Sequence, residues 1–363
     1  MQPPEAGKIR GERILLIRLR NIGDVLLMVP TIRAFREAFP QAFIAALVNA
    51  GTEEMLTGNP LLDDVLVFDP TWKKFPFWKR LGKEINFIRE VRRRRFDLAV
   101  NLTEGDRGAF LCLASGARNK VGPFSKDGSF WWKRRIYNRI VRIPSRKVHV
   151  VEQMLEFPRA LGLNPRDKRL EIHFASSDRE WIEKSLREEG AAPQDTLVHL
   201  HPTSRWLFKC WRDEGVARVI DGLQVRDGVR VVLTGGPEKN ELDKIDNILK
   251  LCQTSPINLA GRVTLKQLAA LSRRCQLFLG VDSAPMHIAA AVGTPVVALF
   301  GPSGEFNWGP WGDGHVVIKK DMECRPCGRD GCQGSKRSRC LEEIQEEVVL
   351  REAFRLLAGR WNP

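Results

Sequence analysis

Apolar residues along this chain come in short runs, each followed by a turn signal and then by a segment with helical spacing. Arg13–Leu19 (RILLIRL) opens the pattern, and Ala42–Val48, Val65–Phe68 and Asp97–Leu102 repeat it. Runs this short and this rich in aliphatic side chains predict buried strands. Residues 24–39 predict one helix with Pro30 early in it, and residues 177–189 another. Thr196–His201, Val229–Thr234, Ile257–Leu259, Leu277–Val281 and Pro295–Phe300 continue the strand series, and residues 342–357 predict a closing helix. Strand–helix alternation through both halves implies an α/β protein with two parallel sheets covered by helices. The pattern falters between Asn164-Pro165 and Ser176-Ser177-Asp178. The expected organisation is a first domain over residues 1–172, a second over 173–345 and a C-terminal helix over 346–363. Two doubly wound domains facing each other would put a ligand cleft between the carboxyl ends of both sheets.

The longest uncharged stretch, 283–304, is interrupted by Pro285, Gly293, Pro295, Gly301 and Pro302, so it reads as a buried helix, a turn and a buried strand. The first twenty residues hold an apolar run too short for a signal peptide. The expected compartment is the cytoplasm, where eight cysteines are thiols or metal ligands before they are disulfides. Charge sharpens the picture. Residues 1–175 carry 32 Lys and Arg against 19 Asp and Glu, a balance of +13, which leaves +1 of the total +14 for the rest. One half is built to sit near something anionic.

Four loops carry candidate chemistry, each directly after an expected strand. Arg20-Asn21-Ile22-Gly23-Asp24 opens a helix: Gly23 permits an unusual backbone angle, and Asp24 is either a plain N-cap or a general base. His201-Pro-Thr-Ser-Arg-Trp-Leu-Phe-Lys-Cys-Trp211 offers the hydroxyls of Thr203 and Ser204 and the charge of Lys209, suited to a diphosphate; an ordinary capped loop is the bland alternative. In Thr234-Gly-Gly-Pro-Glu238 the glycines admit a ligand close to the backbone and Glu238 could hold a ribose diol, although Gly-Gly-Pro is also simply a turn. In Gly280-Val-Asp-Ser-Ala-Pro-Met-His287, Asp282 ends a strand while Ser283 and Ala284 open a helix whose N–H groups could cradle phosphate; a capping Asp with a core-facing His is the alternative. Neither a G-x-G-x-x-G fingerprint nor a P-loop occurs, which weakens hydride transfer and ATP hydrolysis.

Together the segments RNIGDVLLMVPTIRAFRE, HPTSRWLFKCW and GVDSAPMHIAAAVGTPVVALFGPS, followed by a CRPCG cluster, resemble the ADP-heptose:lipopolysaccharide heptosyltransferases of glycosyltransferase family 9 over nearly the whole chain. HPTSRWLFKCW is most similar to the type III enzymes, which add a branching heptose to the second core heptose. The resemblance implies a GT-B fold of two Rossmann-like domains and an inverting, metal-independent transfer needing no cofactor. It implies Asp24 as catalytic base, with Arg20, Asn21 and Gly23 in the acceptor loop. The implied donor set is Thr203, Ser204, Lys209, Glu238, Asp282, Ser283, Ala284, Met286 and His287. Pro202 and the Trp206-Leu-Phe insertion depart from types I and II. The expected partners are ADP-heptose, an anionic lipid A–core acceptor and the cytoplasmic face of the inner membrane, with the protein acting as a monomer.

With that resemblance, the basic half holds the acceptor, and 72–80, 92–95 and 131–135 join Lys and Arg with aromatic rings suited to a membrane interface, although solvated helix faces would explain some of these charges. Cys324-x₂-Cys327-x₄-Cys332-x₇-Cys340 is a candidate structural zinc site, with free thiols as the alternative. A basic nucleic-acid-binding protein would fit the charge, but no helix-turn-helix, finger or single-strand platform signature occurs, so nucleic acid is not an expected partner. A type I or II heptosyltransferase, or a GT-B enzyme using another nucleotide-sugar, would fit the same loops.

Overall fold

The run Arg13–Arg18 is apolar on both faces, which suits a central strand covered by helices on either side. In the computed structural model, which describes residues 11–124, 130–144 and 147–359, it is β1. Two compact units divide the chain, Met1–Arg169 and Leu170–Pro363.

The first unit contains β1 (Arg13–Arg18), β2 (Phe43–Asn49), β3 (Asp64–Phe68), β4 (Leu98–Asn101), β5 (Asn119–Pro123) and β6 (Arg139–Val141). All are parallel, in the order β3-β2-β1-β4-β5-β6. The second unit contains β7 (Thr196–His201), β8 (Val229–Leu233), β9 (Ile257–Asn258), β10 (Leu277–Val281), β11 (Val296–Phe300) and β12 (Val316–Lys319), also parallel, in the order β12-β11-β10-β7-β8-β9. Counted from its own first strand, each sheet reads 3-2-1-4-5-6, the Rossmann order. The order reverses between β1 and β4 in one unit and between β7 and β10 in the other. At such a point the loops leave in opposite directions and open a crevice.

Three local expectations are corrected. Residues 24–39 are not one helix but two, Ile22–Leu26 and Val29–Ala38. Pro30 is the cause: it has no N–H for the carbonyl of Leu26 and its ring crowds the preceding turn, so it starts a helix instead of continuing one. Gly23 lies inside the first of these helices and is absent from the positive-φ glycines, so its position does not demand a glycine angle. The closing helix is likewise divided, Arg339–Glu342 and Glu346–Ala358. The latter lies within the second unit, where Val349, Ala353 and Leu357 share a core with Val219 and Leu223 of helix Asp213–Gln224 and with β7, β8 and β10. The stretch 283–304 supplies helix Ala284–Ala291 and β11, and among the described residues no helix is long and apolar enough to cross a membrane.

Candidate active site

Both switch points carry an ion pair, buried in the first unit and partly buried in the second. In the first unit, Arg18 ends β1 and Asp24 sits in the first turn of helix Ile22–Leu26, whose N-cap is Asn21; the N-cap reading of Asp24 is thereby corrected. The Arg18 Nη2 donates to Asp24 Oδ1 at 2.5 Å, and Nη1 donates to the carbonyl of Leu102, just past β4, also at 2.5 Å. The backbone N–H of Leu19 donates to Thr103 Oγ1 at 3.0 Å. These bonds tie the loops after β1 and β4 together. Burial pushes the Arg18 guanidinium below its ordinary value while Asp24 pulls it back. The other carboxylate oxygen of Asp24 has no hydrogen-bond partner among the described residues. Arg20 and Asn21 are exposed beside it, and Gly23 is half-buried.

In the second unit, Lys209 Nζ meets Asp282 Oδ2 at 2.6 Å, joining the loop after β7 to the loop after β10. Lys209 closes a single 3₁₀ turn, Leu207–Lys209, with its N–H donating to the Trp206 carbonyl at 2.9 Å. The ammonium also lies 5.2 Å from the centre of the Trp206 ring. Asp282 occupies one of the ammonium's three N–H donors. Beyond Asp282, Ser283 is the N-cap of helix Ala284–Ala291. Its hydroxyl donates back to the Val281 carbonyl at 3.3 Å, so its side chain does not satisfy the helix's first N–H groups. Pro285 has no N–H and Met286 N–H donates to the Ser283 carbonyl, so an anion at this end would find Lys209 together with the N–H groups of Ser283 and Ala284.

The remaining sequence-derived donor residues divide. Thr203 and Ser204 are buried on the loop after β7. His287 is buried one turn into the helix. Met286 packs its side chain with Phe278, Ala289, Val296 and Phe300, and its N–H donates to the Ser283 carbonyl, so it serves as a core residue. Glu238 is the exposed N-cap of helix Lys239–Leu251. Sequence reasoning missed Glu241, which is buried and accepts the Gly236 N–H at 3.1 Å. A Cβ at Gly236 would stand 2.6 Å from that carboxylate, which explains the glycine there.

The four-cysteine zinc site is not assembled. Cys324, Cys327 and Cys332 are exposed, whereas Cys340 is buried in helix Arg339–Glu342. Among the described residues no group of three or more His, Cys, Asp or Glu is placed to hold a metal ion. The basic aromatic segments are also sorted. Lys133 is buried against Asp106 at 2.7 Å and Arg94 pairs with Asp64 at 2.7 Å, so neither is a free surface charge. Phe77, Trp78 and Trp131 are exposed.

A family model for glycosyltransferase family 9 (heptosyltransferase) matches residues 85–337. Lipopolysaccharide heptosyltransferase 3 of Escherichia coli is 34% identical over 82% of this chain and 86% of its own length. Among solved structures, a glycosyl transferase family 9 protein from Veillonella parvula superposes with a TM-score of 0.83 at 24% identity, over 97% of this chain and 98% of that one. The E. coli heptosyltransferase WaaC with ADP superposes with a TM-score of 0.74 at 16% identity, over 95% and 99%. The two likenesses carry the fold, GT-B with two Rossmann-like domains. With its family match over most of the chain, this protein belongs to glycosyltransferase family 9, the heptosyltransferases.

Proposed function

We propose that this enzyme transfers heptose from ADP-L-glycero-D-manno-heptose to the lipopolysaccharide inner core, as the third, branching residue on the second core heptose. The observation that carries the reading is the Lys209–Asp282 pair at the second sheet's switch point, beside the start of helix Ala284–Ala291. A nucleoside diphosphate leaving group needs a fixed cation and N–H donors at that place. The third-heptose assignment rests on the heptosyltransferase 3 relative.

In the proposed reaction the acceptor hydroxyl attacks the anomeric carbon while Asp24 takes its proton. The new C–O bond forms as the bond to the diphosphate breaks, with inversion, and ADP leaves. Arg18 holds one carboxylate oxygen, which leaves the other as the proton acceptor. Asp282 steadies Lys209, whose two remaining N–H groups, with the backbone donors at Ser283 and Ala284, take up the developing diphosphate charge. Thr203 and Ser204, on the loop after β7, and Glu238, the exposed N-cap that follows β8, would complete the donor site, with Glu238 toward the ribose. The chemistry needs no metal.

The first unit would hold the anionic acceptor at the cytoplasmic membrane face. In helix Phe77–Arg93, Phe77, Trp78, Leu81 and Ile85 fall on one exposed face, Trp78 at 78% exposure, and Lys73, Lys74, Lys79 and Lys83 of the same segment are exposed. Such a face suits an anionic lipid surface.

Turnover of ADP-heptose with a truncated core acceptor tests the transfer. Asp24→Asn should lose about 10²–10⁴-fold in kcat while still binding ADP. Near-normal turnover by that variant removes Asp24 from the base role.

A further inference from the structure

The turn that carries Lys209 also carries an aromatic ring. In a 3₁₀ turn, residues three apart stand on the same side. Trp206 is the N-cap of the turn Leu207–Lys209, and the Lys209 N–H closes the turn on the Trp206 carbonyl at 2.9 Å. Two further bonds tie it down. The Trp206 N–H donates to Ser204 Oγ at 3.4 Å, and the Phe208 carbonyl accepts from Ser338 Oγ at 2.6 Å. The backbone between the ring and the ammonium is thereby fixed.

Among the described residues the Lys209 ammonium meets two groups, the Asp282 carboxylate at 2.6 Å and the Trp206 ring, whose centre is 5.2 Å away. They act on the charge in different ways. The carboxylate restrains the ammonium while cancelling part of its field and taking one N–H. An indole face attracts a cation through its quadrupole and carries no net charge, so it restrains the ammonium without cancelling it. At 5.2 Å the ring is within range of that attraction but too distant to take up an N–H, so the ammonium keeps two donors for a ligand. With Asp282 alone, the flexible four-carbon stem could swing the ammonium around the carboxylate; the ring closes that arc. The side chains of Lys209 and Asp282 are 19% and 8% exposed, so water screens the group only in part. Trp206 itself is 41% exposed and stands outside the core, which leaves packing a poor account of a tryptophan there.

We infer that Trp206 is a positioning residue, whose ring holds the Lys209 ammonium where the donor-sugar diphosphate needs it and leaves the charge intact. This rests on the reading of Lys209 as the diphosphate's cation. Trp206 acts through Lys209 and does not itself meet the ligand.

The test is ADP affinity by calorimetry on the full chain, for Trp206→Leu, Trp206→Phe and Lys209→Ala, and for the wild-type sequence with one, two or four fluorines on the indole of residue 206 alone. Fluorine draws charge off the ring face and leaves its shape nearly unchanged. Trp206→Leu should weaken ADP about 3- to 10-fold, as expected for a partly shielded cation–π contact, and Trp206→Phe should recover most of the loss. Affinity should fall stepwise with each added fluorine. A ring that touched the diphosphate or stacked on the purine directly would give the opposite sign, because an electron-poor face suits an anion or an electron-rich base better. A ring that only packs would give no trend. The fluorinated series changes no residue, so the inference stays testable if Trp206→Leu does not fold. If Lys209→Ala weakens ADP while fluorination is silent or strengthens binding, the role of Trp206 is refuted and the donor site stands. If wild type does not bind ADP, or Lys209→Ala leaves its affinity unchanged, the donor-site reading fails and the role of Trp206 with it.

Discussion

Arg18 is a charge at the end of an aliphatic strand, and its guanidinium is buried against a buried carboxylate. Such a pair contributes little net stability when intact, but removing one partner strands the other charge. Arg18→Met should therefore lower unfolding stability by about 3–5 kcal/mol in a urea titration. Asp24→Asn should cost less, because the guanidinium keeps an amide acceptor and the Leu102 carbonyl. A loss under about 1 kcal/mol for Arg18→Met would mean that solvent reaches the pair and screens it. Asp24 was legible as a candidate because it follows the first strand and opens a helix. Arg18 was not, since RILLIRL reads simply as a buried strand; the clue was that a charge inside a buried run requires a partner. His199 and His201, buried against the Thr234 hydroxyl, were hidden for another reason. His201 stood in view in its loop, but its link to Thr234 depends on a register between strands about thirty residues apart. Glu238 drew attention by following Gly-Gly-Pro, whereas the buried carboxylate that meets that loop belongs to Glu241, in the first turn of helix Lys239–Leu251.

Helix Phe77–Arg93 has two apolar faces with different fates. Phe87 and Val91 turn inward, with Phe87 in edge contact with Phe68 and Trp72 at 5.7 and 5.8 Å between ring centres. Phe77, Trp78, Leu81 and Ile85 remain outside. Because these four make no core contact, Phe77→Ser/Trp78→Ser should leave the melting temperature near wild type, while cutting binding to anionic vesicles at least several-fold in a sedimentation assay. Equal binding of the variant, or equal binding of wild type to neutral vesicles, would count against this face as the membrane contact. The central strands were legible because burial on both faces leaves a short aliphatic run. β5, β6 and β12 were missed because they lack it. Asn119–Pro123 begins with Asn-Lys and ends with Gly-Pro, and Arg139–Val141 and Val316–Lys319 are short edge strands ending or starting in charge. The helix divided at Pro30 shows the converse. Apolar spacing runs on through residues 24–39, and only the missing N–H breaks it.

On the scale of the molecule, one strand order is used twice with different electrostatics. The first 175 residues carry +13 and the rest +1, although both sheets read 3-2-1-4-5-6. The shared topology explains why each unit has its polar pair at the switch point. On the proposed reading the charge difference separates the jobs: a surface meeting a large anionic acceptor benefits from many dispersed cations, whereas a diphosphate needs one cation held in place, as Asp282 would hold Lys209. This makes a prediction for nucleotide binding. A ligand that binds only the folded chain at a hundred times its dissociation constant adds about 2.7 kcal/mol, which for a unit of this size is a rise of about 5–10 °C in melting temperature. ADP should produce that rise, and Lys209→Ala should abolish most of it. Raising salt should reduce the effect only modestly, because the pair is partly buried and poorly screened, while vesicle binding by the exposed lysines of the first unit should fall steeply. A chain stabilised by UDP and not by ADP would refute the donor assignment. One stabilised by ADP with the same salt sensitivity as vesicle binding would refute the division of labour between the two units.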